Sequence, residues 1–462
     1  MIRLTWQELA AGLIARAATP IPAAPATGIA TDSRTVGPGE LFIALRGASF
    51  DGHAYVAAAR QRGAVGAVIA TERLADVNAA LGTAGPPFVL MTADDPLAAL
   101  GRLGRYHRQR LRAPVIAVVG SNGKTTTKMM IHHVLSGTRR GRCSPKSFNN
   151  NIGVPLTLLA ADADDEYLVV EIGTNAPGEV ADLAALAQPT LALITSIGEE
   201  HLEGLGDLTG VAREETSVLG ALTGGFAAVN VDQPLIRDFL INYQVNYTTY
   251  GAVADADLRL TALRYEAPWL HFEVNDRFRF RLPMPGAHNA SNALGALAVA
   301  RRLGLDHAAI AARLETFSAP PMRCEVAEFD GVTVLNDAYN ANPQSALAAV
   351  AMLEAQPCRG RRIVVFGEMR ELGKHAPAQH VRVAERLRAA AVDRVFLVGA
   401  AAELMGPTLG PAAECWESVE AAAARLPDEV RPGDVVLLKA SRAVGLERLV
   451  SALRERRGGA TG

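Results

Sequence analysis

Val115-Ile116-Ala117-Val118-Val119-Gly120-Ser121-Asn122-Gly123-Lys124-Thr125-Thr126-Thr127 is the stretch that decides the fold. Its first five residues are apolar and mostly β-branched, the pattern of a strand buried on both faces. A glycine-bounded loop follows, and the residues after it suit a helix. Strand, loop and helix in this order are the setting of a phosphate-binding loop. Gly120 and Gly123 let backbone N–H groups turn toward phosphate oxygens, together with those of Ser121, Asn122 and Thr126. The helix N-terminus adds partial positive charge, Lys124 reaches the β- and γ-phosphates, and the Thr125 hydroxyl suits Mg²⁺. ATP is the expected ligand. The strict pattern asks for glycine where this chain has Val118, so G-x-x-G-K-T remains. A glycine turn with a chance Lys-Thr is the alternative, and the loop alone would also fit a kinase or a nucleotide-switched module.

Upstream, Arg112-Ala113-Pro114 ends a helical pattern that runs from about Asp95 to Arg110. Before it, apolar runs at Leu41 to Leu45, Ala64 to Ala70 and Phe88 to Thr92 alternate with helical patterns, which predicts a small α/β domain. Downstream, strand-like runs at Tyr167 to Ile172, Leu191 to Ile197 and Phe226 to Val231 predict a parallel sheet. His271 to Val274 and Phe278 to Leu282 alternate around Asn275-Asp276 and predict an antiparallel hairpin added to it. A helix from about Asn289 to Leu303 precedes Ser318-Ala319-Pro320-Pro321, which reads as a linker. Runs at Val332 to Leu335, Arg362 to Phe366, Arg394 to Val398 and Val435 to Leu438 then predict a doubly wound, Rossmann-like unit, with a frayed tail from Arg454 to Gly462.

The expectation is therefore an α/β chain of three domains: 1–113, a central ATP-binding domain at 114–318, and 319–462. At roughly 150 residues per domain, 462 residues agree with that number. Hydrophobic residues at 49% exclude a disordered chain. A net charge of −2, with no run of like charge, argues against nucleic acid or an anionic membrane as partner. The four cysteines lack disulfide or metal spacing, the N-terminus lacks signal-peptide order, and no apolar stretch reaches about 18 residues. A cytoplasmic monomer without membrane insertion is expected.

Phosphate-loop chemistry needs a carboxylate at the end of a neighbouring strand, and Leu168-Val169-Val170-Glu171 supplies Glu171. Its charge after an apolar run suits a Mg²⁺ ligand, with a structural ion pair as the alternative. The strand ending near Ile197 runs into Gly198-Glu199-Glu200-His201, so His201 is either a second-metal ligand or a capping or core histidine. Asn149-Asn150-Asn151 is either turn chemistry or a set of amides lining a substrate channel.

Together with Asn336-Asp337-Ala338-Tyr339-Asn340-Ala341-Asn342-Pro343, Gly367-Glu368-Met369-Arg370-Glu371-Leu372-Gly373 and Lys439-Ala440-Ser441-Arg442, these motifs resemble the Mur ligase family over nearly the whole chain. The family makes amide bonds with ATP during peptidoglycan precursor synthesis. The resemblance implies three small-molecule substrates: ATP, a UDP-muramoyl tripeptide and, from the third-domain stretches, D-alanyl-D-alanine. It implies that Thr31, Asp32, Ser33, Arg34 and Arg46, with Asn149 and Asn150, hold the UDP-substrate. It further implies that Lys124 and Thr125 hold ATP and Mg²⁺, that Glu171 and His201 ligate metal, and that Asn289 and Asn292 meet the adenine. Arg323 and Asp337 would touch the nucleotide on closure, while Tyr339, Asn340 and Asn342 would orient the dipeptide. In the implied reaction ATP phosphorylates a carboxylate, an amine attacks the acyl phosphate, and phosphate leaves.

One position departs from the family pattern. A lysine carbamylated by CO₂ is usual there, and this chain has Glu215. Either Glu215 supplies a permanent carboxylate in place of the carbamate, so that turnover needs no bicarbonate, or its side chain is too short to reach and leaves the second metal to water and His201. Ala440 and Ser147 are smaller departures, from glycine and asparagine.

Overall fold

The computed structural model describes residues 4–47, 49–82, 86–222 and 224–458. The first sheet runs Arg16–Ala17, Val89–Ala93, Gly66–Ala70, Glu40–Ile43, Gly28–Ala30, parallel except for its first strand. Thr5 and Glu8 form a capping box that starts the helix Trp6–Leu13, and Asp95 caps Pro96–Arg108 with proline at its first turn. The second of these helices packs against two domains. Leu100 and Leu103 close the first sheet together with Leu159 from beyond the phosphate loop. At its end, buried Arg108 donates to the carbonyls of Ala187 and Gln188 at 3.0 and 2.9 Å. Gly104 lets the helix approach the middle domain, since a Cβ there would lie 2.9 Å from Pro155 Cα.

The middle sheet has nine strands: Phe278–Leu282, Trp269–Val274, Leu258–Glu266, Asn246–Gly251, Phe226–Asn230, Leu191–Ile194, Val115–Val119, Leu168–Glu171, Arg142–Cys143. The strand that opens the phosphate loop pairs in parallel with Leu168–Glu171 on one side and Leu191–Ile194 on the other. Val118 lies beside Glu171 and Val119 beside Ile194, so loop, carboxylate and the turn toward His201 leave the sheet at one edge. Ligands of open α/β sheets bind at that carboxyl edge. The hairpin expected around Asn275-Asp276 is present. A further long strand, Leu258–Glu266, joins it to the parallel sheet.

The third sheet runs Glu325–Phe329, Val332–Asn336, Val435–Lys439, Arg362–Phe366, Arg394–Val398, Ala413–Trp416, parallel except for the antiparallel first edge strand. The two edge strands were not expected from sequence. They are half exposed and carry no continuous apolar run. The frayed tail is also corrected. Arg448–Arg457 is a helix anchored by buried Leu449 and Leu453, and the rest of the expected tail, 459–462, lies outside the described residues. No described helix is long and apolar enough to cross a membrane.

The Gly104 contact makes the junction between the first two domains intolerant of bulk. Gly104→Val should destabilise the protein by about 1–3 kcal/mol, read as a lower urea midpoint; an unchanged midpoint would show that Pro96–Arg108 and the helix Gly153–Leu159, which carries Pro155, part without cost.

Candidate active site

The carboxyl edge of the middle sheet and the facing edge of the third domain enclose a cavity of about 1000 Å³. Lys124, Thr125, Glu171, Glu200, His201 and Asn292 line it from one side; Arg323, Asp337, Tyr339, Asn340 and Asn342 line it from the other. Gly120 and Gly123 have φ of +118° and +86°. A Cβ on Gly123 would meet Asn292 Oδ1 at 2.2 Å, so glycine is needed there for both conformation and space.

Glu171 is almost fully buried, and every neighbour is matched to its charge. Thr125 Oγ1 donates to Oε2 at 2.9 Å, Lys128 Nζ lies 2.9 Å from the same oxygen, and Asn149 Nδ2 donates to Oε1 at 3.1 Å. Lys128 is itself fully buried. It was missed in the sequence, where its one signal is a charge inside the apolar helix Lys124–Leu135, four residues after Lys124.

Lys124 Nζ donates to the Gly120 carbonyl at 2.5 Å and lies 3.6 Å from Glu200 Oε1. Burial works against its charge, but Glu200, Glu215 and Glu171 outweigh burial and raise its pKa. Glu200, a second residue not assigned from sequence, is raised by burial despite Lys124 and His201. Glu215 does reach the loop: Oε2 accepts the Gly120 N–H at 2.7 Å. Its other oxygen is buried without a hydrogen-bond partner, as is Glu200 Oε1. Burial pushes the Glu215 carboxyl up to about 7.

These observations test the fit to Mg²⁺. Thr125 and Glu171 offer the hard oxygen donors that Mg²⁺ takes alongside substrate phosphates, and the Glu200 and Glu215 oxygens that lack a hydrogen bond lie close by, around Lys124. The residues fit the ion when phosphate completes its shell. Among the described residues no group of three or more His, Cys, Asp and Glu side chains forms a metal cage by itself. His201 Nδ1 lies 2.8 Å from Glu371 Oε2, and its Nε2 is 3.7 Å from Glu200 Oε2. Burial lowers the His201 pKa, and the Glu371 hydrogen bond and Glu200 charge more than reverse this.

The other expected site residues separate into groups. Asn289 is buried beneath the cavity, donating to the Pro285 carbonyl and accepting from Asn292 Nδ2 at 2.9 Å. Asp337 pairs with Lys439 at 2.6 Å, and Lys439 also donates to the Asn340 carbonyl at 2.8 Å. The Arg323 guanidinium lies 4.0 Å from the centre of the Tyr339 ring. Asn342 caps the helix Pro343–Ala355 through Ser345 N–H and donates to Asn122 Oδ1 at 2.9 Å, so its amide is spent on capping and on docking the third domain. The asparagine run divides: Asn150 Oδ1 accepts from Ile152 and Gly153 N–H as turn chemistry, whereas Asn149 faces Glu171. Thr31, Asp32, Ser33, Arg34 and Arg46 lie on the first domain, outside this cavity. There the Arg34 guanidinium holds the Asp32 carboxyl down at about 2.

Three family models cover this arrangement in order: the Mur ligase family catalytic domain at residues 25–102, the Mur ligase middle domain at 118–300, and the Mur ligase glutamate ligase domain at 322–442. The chain belongs to the Mur ligase family. Among curated relatives, UDP-N-acetylmuramoyl-tripeptide--D-alanyl-D-alanine ligase of Bacillus subtilis is 34% identical over 439 residues, 93% of each chain. The ligase of that name from Escherichia coli is 34% identical over 92% of this chain and 93% of its own. Among solved structures, MurF from Acinetobacter baumannii superposes with a TM-score of 0.87 at 27% identity, covering 99% of this chain and 100% of the other. MurF ligase from Thermotoga maritima in complex with ADP superposes at 0.80 and 27% identity, over 93% and 97%. This Mur ligase thus keeps the three-domain fold along its length and holds phosphate loop, carboxylates and third-domain arginine around one cleft.

Two measurements probe the charges of the site. Lys128→Met leaves Glu171 buried without its cation and should cost about 3–5 kcal/mol in chemical denaturation. Adding Glu171→Gln should return much of that loss; equal instability of single and double variants would mean the pair is not coupled. The folded protein holds the Glu215 proton more tightly than the unfolded chain, whose value is 4.5. Glu215 therefore favours the fold at acid pH, and this contribution is lost as pH rises from about 4.5 to about 7. Glu215→Gln should gain melting temperature relative to the parent between pH 5 and 8 in substrate-free protein; parallel curves would contradict the assignment.

Proposed function

We infer that this ATP-dependent Mur ligase joins D-alanyl-D-alanine to UDP-N-acetylmuramoyl-tripeptide, giving the UDP-linked pentapeptide, ADP and phosphate in peptidoglycan precursor synthesis. The observation that carries this reading is the single cleft in which the phosphate loop faces Arg323, Tyr339 and Asn340 of the third domain, in a chain 34% identical along 93% of its length to ligases of that name.

A carboxylate is a poor acyl donor, so the tripeptide carboxylate first takes the γ-phosphoryl group of ATP and releases ADP. The amine of the dipeptide then attacks the acyl carbon, the tetrahedral intermediate expels phosphate, and the amide nitrogen loses its proton. Two anions must meet in the first step. Lys124, with its raised pKa, remains cationic beside the phosphate loop and offsets their repulsion. Mg²⁺, when held by Thr125, Glu171 and the phosphates, would supply further positive charge, and His201 would ligate a second ion. Asn292 packs against the loop at Gly123 and fixes the nucleotide end of the cleft. Arg323 and Asp337 close over the nucleotide from the third domain, and Tyr339 and Asn340 face the incoming dipeptide. Seating the third domain excludes water that would hydrolyse the acyl phosphate. Thr31, Asp32, Ser33, Arg34 and Arg46 hold the UDP end on the first domain, away from the chemistry, and Asn149 and Asn150 lie on the path between. The working unit is a cytoplasmic monomer.

Glu215 takes the place of the carbamylated lysine without modification, a reading supported by its carboxyl lying at the phosphate loop, where it accepts the Gly120 N–H. Purified protein with ATP, Mg²⁺, the UDP-muramoyl tripeptide and D-alanyl-D-alanine should yield the pentapeptide product by mass spectrometry; ADP release indifferent to both other substrates, without that product, would overturn the reading. CO₂-depleted enzyme should turn over at the same rate with and without bicarbonate, and strong activation by bicarbonate would refute the role given to Glu215.

A further inference from the structure

The loop after the strand Leu191–Ile194 lies between the phosphate loop and the third domain, and is tied to both. On the inner side Gly198 N–H donates to Ser121 Oγ at 2.8 Å, and Glu200 faces Lys124. On the outer side Arg382 Nη1 donates to Glu199 Oε2 at 2.9 Å, and Glu203 N–H donates to the Glu371 carbonyl at 3.3 Å. Between these ties Glu371 Oε2 meets His201 Nδ1 at 2.8 Å.

The backbone at this meeting point is unusual on both sides. His201 has φ +49° and Glu371 has φ +64°, left-handed values that L-residues with side chains adopt at a cost. Gly373, at φ +51°, packs so closely that a Cβ would lie 3.2 Å from Glu203 Cα. Paired strain of this kind persists where the surroundings enforce it, and it marks sites where geometry matters. With Nδ1 engaged, the imidazole has one free nitrogen, Nε2, which points toward Glu200 and the cleft. A carboxylate on one ring nitrogen fixes both the tautomer and the ring orientation that the other nitrogen presents.

We propose that Glu371 is a positioning residue for the ligation: from the third domain it accepts the His201 Nδ1–H, turning Nε2 into the phosphate cleft, so that this part of the site is complete only when the third domain is seated. The inference rests on reading that cleft as the site of phosphoryl transfer. Glu371 belongs to the stretch that marked the third domain in the sequence, yet its partner is a residue 170 positions earlier, which no local pattern reveals.

The test uses full-length protein labelled with ¹⁵N-histidine, in which ten histidines are few enough to separate and His201→Gln assigns the signal. In the substrate-free parent, His201 should show a proton fixed on Nδ1. Glu371→Ala should shift that signal to an averaged tautomer, and Glu371→Gln, whose amide oxygen still accepts, should keep it. In the ligase assay Glu371→Ala should lower kcat by about 10- to 100-fold with KM for the UDP-tripeptide unchanged, and Glu371→Gln should recover most of the rate. A His201 signal indifferent to Glu371→Ala, or a fall in KM terms alone, would overturn the proposal. Failure of the proposed reaction is a separate outcome: the parent then makes no pentapeptide, while the nitrogen signal still reports whether Glu371 orients His201.

Discussion

A carboxylate removed from water must be answered on every side, and Glu171 imposes that requirement on the middle domain. Its position at the end of an apolar strand follows from the sheet register beside Val118. Its charge then dictates what three other segments contribute: a hydroxyl from the phosphate loop, an ammonium from the following helix, and an amide from the Asn149 turn. Because burying an ion is repaid only by near-complete pairing, the arrangement fixes Thr125 and Asn149 before any substrate arrives.

The neighbouring charges obey a different rule. Around Lys124, Glu200 Oε1 lies 3.6 Å from Nζ without a hydrogen bond, and Glu215 Oε1 has no hydrogen-bond partner. Burial here pushes both carboxyls toward their protonated forms, whereas Glu171 is held by a hydroxyl, an ammonium and an amide. A chain of net charge −2 gives no hint of this local contrast. Near-neutral composition excludes a diffuse pull on polyanions, while the fields that matter act over a few ångströms within the cleft.

Much of this was legible in the sequence, for physical reasons that can be traced. A strand buried on both faces has to be apolar throughout, so Val115 to Val119 and its parallel neighbours announce themselves, and glycines with positive φ mark the loop between strand and helix. Edge strands such as Glu325–Phe329 bury one face at most and leave no such trace. Lys128 looked like an ordinary helix residue, because its value depends on a carboxylate more than forty positions away. The asparagine run could not be divided from sequence, since Asn149 and Asn150 differ only in which way they face. Glu215 was conspicuous as a departure, but whether its side chain would span the gap is a matter of distance, and spacing along the chain does not encode it.

The helix Pro96–Arg108, packed against two domains, carries a consequence for modularity. Its apolar residues pack with Leu159 of the middle domain, its Gly104 touches Pro155, and its Arg108 satisfies two carbonyls there. Cutting the chain at residue 113 would strip apolar cover from the middle domain and leave those carbonyls bare. The first domain is thus welded to the phosphate loop, while the third domain meets the middle one through contacts such as Asn342 with Asn122 and the Glu203–Glu371 main-chain hydrogen bond. A substitution that loosens the helix on its first-domain side is therefore felt at the phosphate loop as well, so the two domains share one stability.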